Sequence, residues 1–349
     1  MTGRAVTLDD GLLTLLGSPG SPYTRKMLAV LRYRRIPYRL ILGSHDTPGL
    51  PEAKVRLLPT FYLKGEGGGF EAVTDSTPLI RRFEADYAGR QAIPADPALA
   101  LIDALIEDYG DEWLTKAMFH YRWAYRDDID KSSRVLPNWA RGPMSDEALA
   151  AAGSMFSGRQ IPRLRYVGSN EITGPVIEAS YVRFLEAFEA HLRSHRFLLG
   201  ARPGSGDFGV YGQLTQLVAF DPTPSAVALA RAPRVVAWTA AMEDHSGLDP
   251  VEADWFDAGS PPATLKTILA EIGRVYPPVL LANARALQSG AEEVRTEIDG
   301  KPWVQQPFTY QGKCLAWLRR DYAALSAQAR ARVDALLAGT GCEALFAGL

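Results

Sequence analysis

Apolar positions alternate between strand-like and helix-like periods over roughly the first ninety residues, then settle into helical spacing. The run Leu12-Leu13-Thr14-Leu15-Leu16 predicts a strand, Tyr23 to Arg35 a helix, and Tyr38 to Leu42, after the turn at Pro37, a second strand. A Pro- and Gly-broken segment, Thr47 to Lys54, leads into the β-rich run Leu57-Leu58-Pro59-Thr60-Phe61-Tyr62-Leu63. Lys64-Gly65-Glu66-Gly67-Gly68-Gly69 then predicts a hairpin turn back into Phe70 to Val73. Asp75-Ser76-Thr77-Pro78 starts a helix to about Tyr87, with Ser76 or Thr77 capping and Pro78 in the first turn, where its missing N–H does no harm. The order β-α-β-(irregular)-β-β-α describes a first domain over 12–90.

Gly89 to Pro97 reads as a linker, and a second, all-helical domain is expected over 97–349. Leu101, Leu105, Tyr109, Trp113, Met118 and Tyr121 continue one long amphipathic helix, and Val176 to Leu192 is another, with Val182, Leu185, Phe188 and Leu192 on one face. Helices are expected at Phe208 to Val218, Arg234 to Met242, Leu265 to Leu287 with a break at Pro277-Pro278, Cys314 to Leu325 and Ala327 to Leu337. Val294 to Ile298 and Trp303 to Phe308 flank Asp299-Gly300 as a small hairpin. Asp127 to Gly174 is poorly patterned and reads as long loops.

At 349 residues the chain is long enough for two cores, and 22% charged with 47% hydrophobic residues is a globular balance. A net charge of −2 gives no electrostatic case for nucleic acid or an anionic membrane as partner. No apolar run approaches the ~18 residues of a span, and Met1 to Asp10 is polar, so the expectation is a cytoplasmic protein without a signal peptide. Cys314 and Cys342 fit free thiols in a reducing compartment better than a disulfide framework.

Candidate chemistry concentrates in Ser21-Pro22-Tyr23-Thr24, where a strand hands over to a helix N-terminus with unpaired N–H groups and about half a positive charge. Ser18-Pro19-Gly20 offers a second hydroxyl, and Tyr23 a third. Two patterns are decoys. Gly204 to Gly209 matches G-x-G-x-x-G, but no βαβ unit surrounds it, so no nucleotide is expected. His191 and His195 stand one helical turn apart without a third ligand nearby, so no metal is expected.

The Ser-Pro turn, the Leu58-Pro59 strand entry, the Asp75-Ser76 helix start and the helical second half together resemble the cytosolic glutathione S-transferase (GST) family over roughly 12–260. Phe197-Leu198-Leu199-Gly200 and Arg202 to Gly212 resemble the family's entry into the buried helix of its C-terminal domain, with Gly204 at the usual Ser/Thr cap, a weaker cap. The resemblance implies a fold: an α/β thioredoxin-like domain (βαβ-ββα) followed by an all-α helical bundle domain. It implies a bacterial-type homodimeric transferase acting in detoxification, with a C-terminal extension from about 261 on which it is silent. Glutathione would be the co-substrate and a hydrophobic electrophilic small molecule the partner.

The same resemblance implies roles. Ser21 or Ser18 activates the thiol, depending on whether Ser21-Pro22-Tyr23 or Ser18-Pro19-Gly20 aligns with the family's turn. The Leu58-Pro59 bond is cis, and the Leu58 backbone pairs with the cysteinyl part of the tripeptide. Ser76 takes the γ-glutamyl carboxylate and Asp75 the α-ammonium, while Arg56, or Lys54, reaches the glycine carboxylate in place of the family's Gly-Lys. The Trp113, Tyr121, Trp123 and Tyr125 cluster reads as mostly core, while the resemblance implies that the long helix lines the pocket for the second substrate, with Tyr109, Trp113 and Arg122 near it.

Lowering a thiol pKa from about 8.5 to about 6.5 takes roughly 2.7 kcal/mol. One hydrogen bond to a charged sulfur supplies about 1.5–3 kcal/mol and the helix end about 0.3–1 kcal/mol. The chain is therefore expected to add the glutathione thiolate to an electrophile without a protein nucleophile. The alternative is a non-catalytic GST-fold binding module. Glutathione-dependent disulfide reduction is disfavoured because position 21 is not cysteine.

Overall fold

The computed structural model describes residues 6, 8–140 and 143–348. The polar N-terminal stretch read above lies largely outside them. Strands β1 (Leu13–Gly17), β2 (Tyr38–Leu42), β3 (Thr60–Lys64) and β4 (Phe70–Val73) form one sheet in the order β2-β1-β3-β4. β1 runs parallel to β2, with Leu15 opposite Leu40, and antiparallel to β3, with Leu15 also opposite Phe61. The parallel β1–β2 pair needs a crossover, and α1 (Pro22–Tyr33) supplies it. α2 (Ser76–Asp86) follows the β3–β4 hairpin, and Leu15, Phe61, Ile80 and Phe83 are buried between sheet and helices.

The long amphipathic helix is α3 (Pro97–Tyr109) running into a π-helical stretch, Gly110–Leu114, and on into α4 (Thr115–Ala124). The insertion is where the apolar stripe changes step, from Trp113 to Met118, five residues instead of four. α8 (Ser205–Leu217) runs buried along its whole length against α1 and α3. A Cβ at Gly110 would lie 2.7 Å from the Val210 nitrogen and one at Gly212 2.7 Å from the Pro22 carbonyl, so glycine permits both close crossings.

Gly204 is not the weak point it looks in the sequence. Asp103 of α3 accepts from the Ser205 and Gly206 N–H groups at 3.1 and 2.9 Å, and Asp207 accepts from Gly204 N–H at 2.9 Å. The α8 N-terminus is thus capped by a residue from another helix.

The region expected as loops is helical: α5 (Arg126–Ala140), α6 (Asp146–Gln160) and a 3₁₀ stretch, Ile161–Val167. α7 (Gly174–His191) is where it was expected, and α9 (Pro222–Arg231) precedes α10 (Pro233–Ala241). α11 (Ala263–Ser289) is continuous through Pro277 and Pro278, where a break was expected. The prolines remove two backbone donors, yet Thr340–Cys342 packs on Gly273 one turn earlier and Glu271 is paired with Arg183 of α7 at 2.7 Å, so tertiary contacts hold the axis.

β5 (Val294–Ile298) and β6 (Lys301–Gln305) form the expected hairpin, with Asp299 and Gly300 at φ of 52° and 68°, the signature of a type I′ turn. α12 (Thr309–Ala323) and α13 (Ala327–Leu337) pack against α3 and α11, and a 3₁₀ stretch, Cys342–Phe346, follows on α11. Both cysteines are free and buried. Among the described residues no helix is long and apolar enough to cross a membrane, and no cluster of His, Cys, Asp and Glu suits a metal. His191 instead bonds Thr264 Oγ1 and the Phe197 carbonyl, at 2.9 and 3.0 Å.

Candidate functional site

Strand β1 ends in a tight turn that delivers Ser21 to the N-cap of α1. Its Oγ accepts from Thr24 N–H at 3.2 Å, and Pro22 occupies the first helical position. The same hydroxyl donates to the Leu58 carbonyl at 3.1 Å, across a partly exposed notch. The Leu58-Pro59 bond is cis. Ser18 has a different job: its Oγ accepts from Gly20 N–H at 3.4 Å and its carbonyl from Ser21 N–H at 3.0 Å, so it shapes the turn.

The turn is held from behind by the helical domain. Gln216 of α8 donates to the Pro19 carbonyl at 3.1 Å and Arg122 of α4 to the Gly20 carbonyl at 3.2 Å. Arg122 is buried and fixed by Asp221 at 2.8 Å and by Gln216 Oε1 at 2.7 Å. Arg122, expected beside a second-substrate pocket, thus braces the Ser18–Ser21 turn. A Cβ on Gly20 would lie 2.5 Å from Leu136 Cδ2 and 3.0 Å from Trp139, so α5 closes over the turn.

The other end of the notch is the start of α2. Asp75 occupies the N-cap position at φ 84°, a backbone region that costs a non-glycine residue of order 1–3 kcal/mol. Its carboxylate does not cap the helix: Thr77 N–H lies near it without hydrogen-bond geometry, and Asp75 Oδ1 accepts instead from the Tyr310 hydroxyl of α12 at 2.9 Å. Burial pushes the Asp75 carboxyl up, opposed by the Tyr310 hydrogen bond and the Lys26 charge. Ser76, the expected cap, is the first helical residue, and its Oγ accepts from Lys26 Nζ at 3.1 Å.

Lys26 is fully buried and also meets Glu107 at 2.7 Å and Asp111 at 2.5 Å. Burial lowers its pKa, but the two carboxylates outweigh that and hold the ammonium charged. Thr77 Oγ1 donates to Glu107 Oε1 at 2.9 Å, so this cluster ties α2 to α3. Sequence reading missed Lys26, Glu107 and Asp111. The available signal was a lysine within the apolar face of α1 and an acidic pair at i, i+4 on a buried helix.

Tyr23, counted as a third hydroxyl near the thiol, donates to the Asp111 carbonyl at 2.8 Å. Burial, with the Glu112 and Asp111 charges, keeps the phenol protonated. Arg56 is exposed and paired with Asp46 at 3.0 Å on the loop before Leu58, and Lys54 is exposed nearby. His45 Nε2 sits 2.9 Å from Thr60 Oγ1 on the same side, its imidazole pKa lowered by burial.

Tyr109 and Trp113 belong to the packed core. Tyr109 packs against Phe184 and Tyr276, while Trp113 donates to Ser180 Oγ at 3.0 Å and lies against Trp303 of the β5–β6 hairpin. Their helical spacing signalled burial correctly, but the extension covers the face they present. Tyr121 and Trp123 are buried too, with Tyr121 stacked on Tyr125. A cavity of about 250 Å³ lies elsewhere on this seam, between Arg81, Leu101 and Asp103 on one side and Asp321 and Leu325 on the other, and contains none of the notch residues.

Comparison with known proteins places this geometry. The glutathione S-transferase N-terminal domain model matches residues 15–91, and the glutathione S-transferase C-terminal domain model matches residues 146–241. Among curated proteins none matches. Similar solved structures include a glutathione transferase family member from Pseudomonas fluorescens Pf-5 with two glutathione bound, 14% identical, TM-score 0.41, covering 75% of this chain and 94% of that one. A glutathione transferase from Burkholderia graminis, also with two glutathione molecules per subunit, is 17% identical with TM-score 0.41, covering 75% and 89%. Glutathione S-transferase III in its apo form is 18% identical with TM-score 0.40, covering 72% and 99%. With the N-terminal domain model falling on the sheet that carries Ser21 and Leu58 and the C-terminal one on the helices behind it, this chain belongs to the glutathione S-transferase family.

Proposed function

We propose that this chain is a glutathione transferase that binds the tripeptide along the notch from Ser21 to Ser76, keeps its sulfur ionised, and adds it to a hydrophobic electrophile. The observation that carries the reading is the 3.1 Å contact between Ser21 Oγ and the Leu58 carbonyl. A cysteinyl residue paired with the Leu58 backbone brings its sulfur beside the Ser21 hydroxyl. That hydroxyl keeps its cap to Thr24 while its hydrogen swings from the carbonyl to the sulfur.

In this reading the Ser76 hydroxyl and the α2 N-terminus take the γ-glutamyl carboxylate, helped by the Lys26 ammonium beneath, and Asp75 takes the α-ammonium. Arg56 supplies a cation for the glycine carboxylate. At pH 7 a thiol pKa near 6.5 raises the ionised fraction from about 3% to about 75%. The remaining catalytic contribution is orientation of the two reactants. A homodimer working in cytoplasmic detoxification completes the reading.

A second reading, a glutathione-binding module without transferase activity, is favoured by one observation. Tyr109 and Trp113 are sealed under α11 and the β5–β6 hairpin, where an electrophile pocket was expected. Retention on immobilised glutathione followed by conjugation assays with a panel of aryl halides and enals separates the two. Retention with turnover supports the transferase, retention without turnover the module, and failure of retention rejects both.

A further inference from the structure

The C-terminal extension reaches the polar end of the notch through one side chain. Tyr310, in the first turn of α12, donates its hydroxyl to Asp75 Oδ1 at 2.9 Å, joining residues 235 positions apart. The contact is firmly built. Asn283 of α11 clamps Phe308 just before the helix, donating to its carbonyl at 2.9 Å and accepting from its N–H at 2.8 Å. Gln311 and Cys314 are buried on the inner face of α12, facing Glu112 and Asp108. The Tyr310 ring packs edge-on against Trp317.

Among the carboxyls near this seam, Asp111 and Glu107 are committed to Lys26, and burial raises Asp108 and Glu112 toward their neutral forms, which leaves Asp75 as the carboxylate offered to a ligand. Asp111 Oδ1 is buried without a partner. Asp75 itself remains partly exposed, with its Oδ1 held by the Tyr310 hydroxyl.

We propose that Tyr310 is a positioning residue of the glutathione site: its hydroxyl holds the Asp75 carboxylate by one oxygen so that the other meets the α-ammonium of the γ-glutamyl group. The extension then forms a wall of the γ-glutamyl subsite and sets its selectivity for an amino-bearing ligand. Phenol burial beside Asp75 keeps the Tyr310 hydroxyl protonated, and therefore a donor, throughout the physiological range. The proposal rests on the glutathione reading above.

Calorimetric titration of the full chain with glutathione and with glutaryl-Cys-Gly, which lacks only the α-amino group, tests it. Tyr310→Phe keeps the ring against Trp317 and is expected to weaken glutathione about tenfold, the effect of losing a hydrogen bond to a charged group, while leaving glutaryl-Cys-Gly unchanged. Asp75→Asn gives an independent measure of the same link: the preference for glutathione disappears, and adding Tyr310→Phe changes nothing more. An equal loss for both ligands in Tyr310→Phe, or no loss for either, overturns the proposal while leaving the glutathione reading intact. Wild-type chain that binds neither tripeptide overturns that reading and the proposal with it.

Discussion

Ser21 and Leu58 meet across the notch through one hydrogen bond, Oγ to carbonyl at 3.1 Å, and the same Ser21 oxygen caps α1 by accepting from Thr24 N–H. The hydroxyl is therefore structural and chemically placed at once. Ser18, three residues earlier, hydrogen-bonds within its own turn and to the adjoining Thr24 side chain.

This difference separates the two serines. Ser21→Ala should lower stability by about 1 kcal/mol through loss of the cap and reduce kcat/KM about 10- to 100-fold through loss of the bond to sulfur. Ser18→Ala should change both far less. Urea unfolding and initial rates with glutathione at subsaturating concentration check the pair.

Gly20 has no room for a methyl group, since Leu136 Cδ2 would lie 2.5 Å from it. Gly20→Ala should displace α5 or the serine turn and cost about 1–3 kcal/mol. Thermal unfolding reads the stability loss, and a raised KM for glutathione reports movement of Ser21.

Arg122 joins the turn to a buried carboxylate, Asp221, which is fully shielded from solvent. Arg122→Met should destabilise by about 3–5 kcal/mol because it strands that charge, and Arg122→Met with Asp221→Leu should recover part of the loss. Chemical denaturation of the single and double variants distinguishes a stranded charge from lost packing.

Asp108 accepts from the Tyr276 hydroxyl at 2.6 Å beneath α12, and burial pushes its carboxyl up to about 7. A raised acid is held by the folded state with its proton on, so folding binds protons between the unfolded value near 4 and about 7. Its contribution favours the fold below that window and is lost at about 1.4 kcal/mol per pH unit as pH rises through it. Asp108→Asn should therefore gain stability relative to wild type from pH 5 to pH 7, measured by urea midpoints at each pH.

Local signals were legible in the sequence. The β2 bounds, the α13 bounds and the Asp299-Gly300 hairpin were readable because apolar period and turn chemistry decide them within a few residues. The Ser21 cap was readable for the same reason. α5 and α6 were not: α5 is amphipathic, but its mostly polar composition and the internal Pro137 disguise the helix, while α6 is alanine-rich and presents no clear apolar period. The prolines of α11 misled because contacts at Gly273 and Glu271, made by distant segments, override a local break. The stripe through Tyr109 and Trp113 announced burial without saying what would cover it. The Tyr310–Asp75 bond, made across two domains, leaves no trace in local pattern.

The central claim is that a hydroxyl at a helix N-terminus keeps a borrowed sulfur ionised. Titrating the bound glutathione thiol by its thiolate absorbance near 240 nm tests it most directly. The account predicts a midpoint near 6.5 in the wild type and a rise of about one to two units in Ser21→Ala. A bound thiol that titrates near its free value of about 8.5, or a midpoint unmoved by Ser21→Ala, would contradict it.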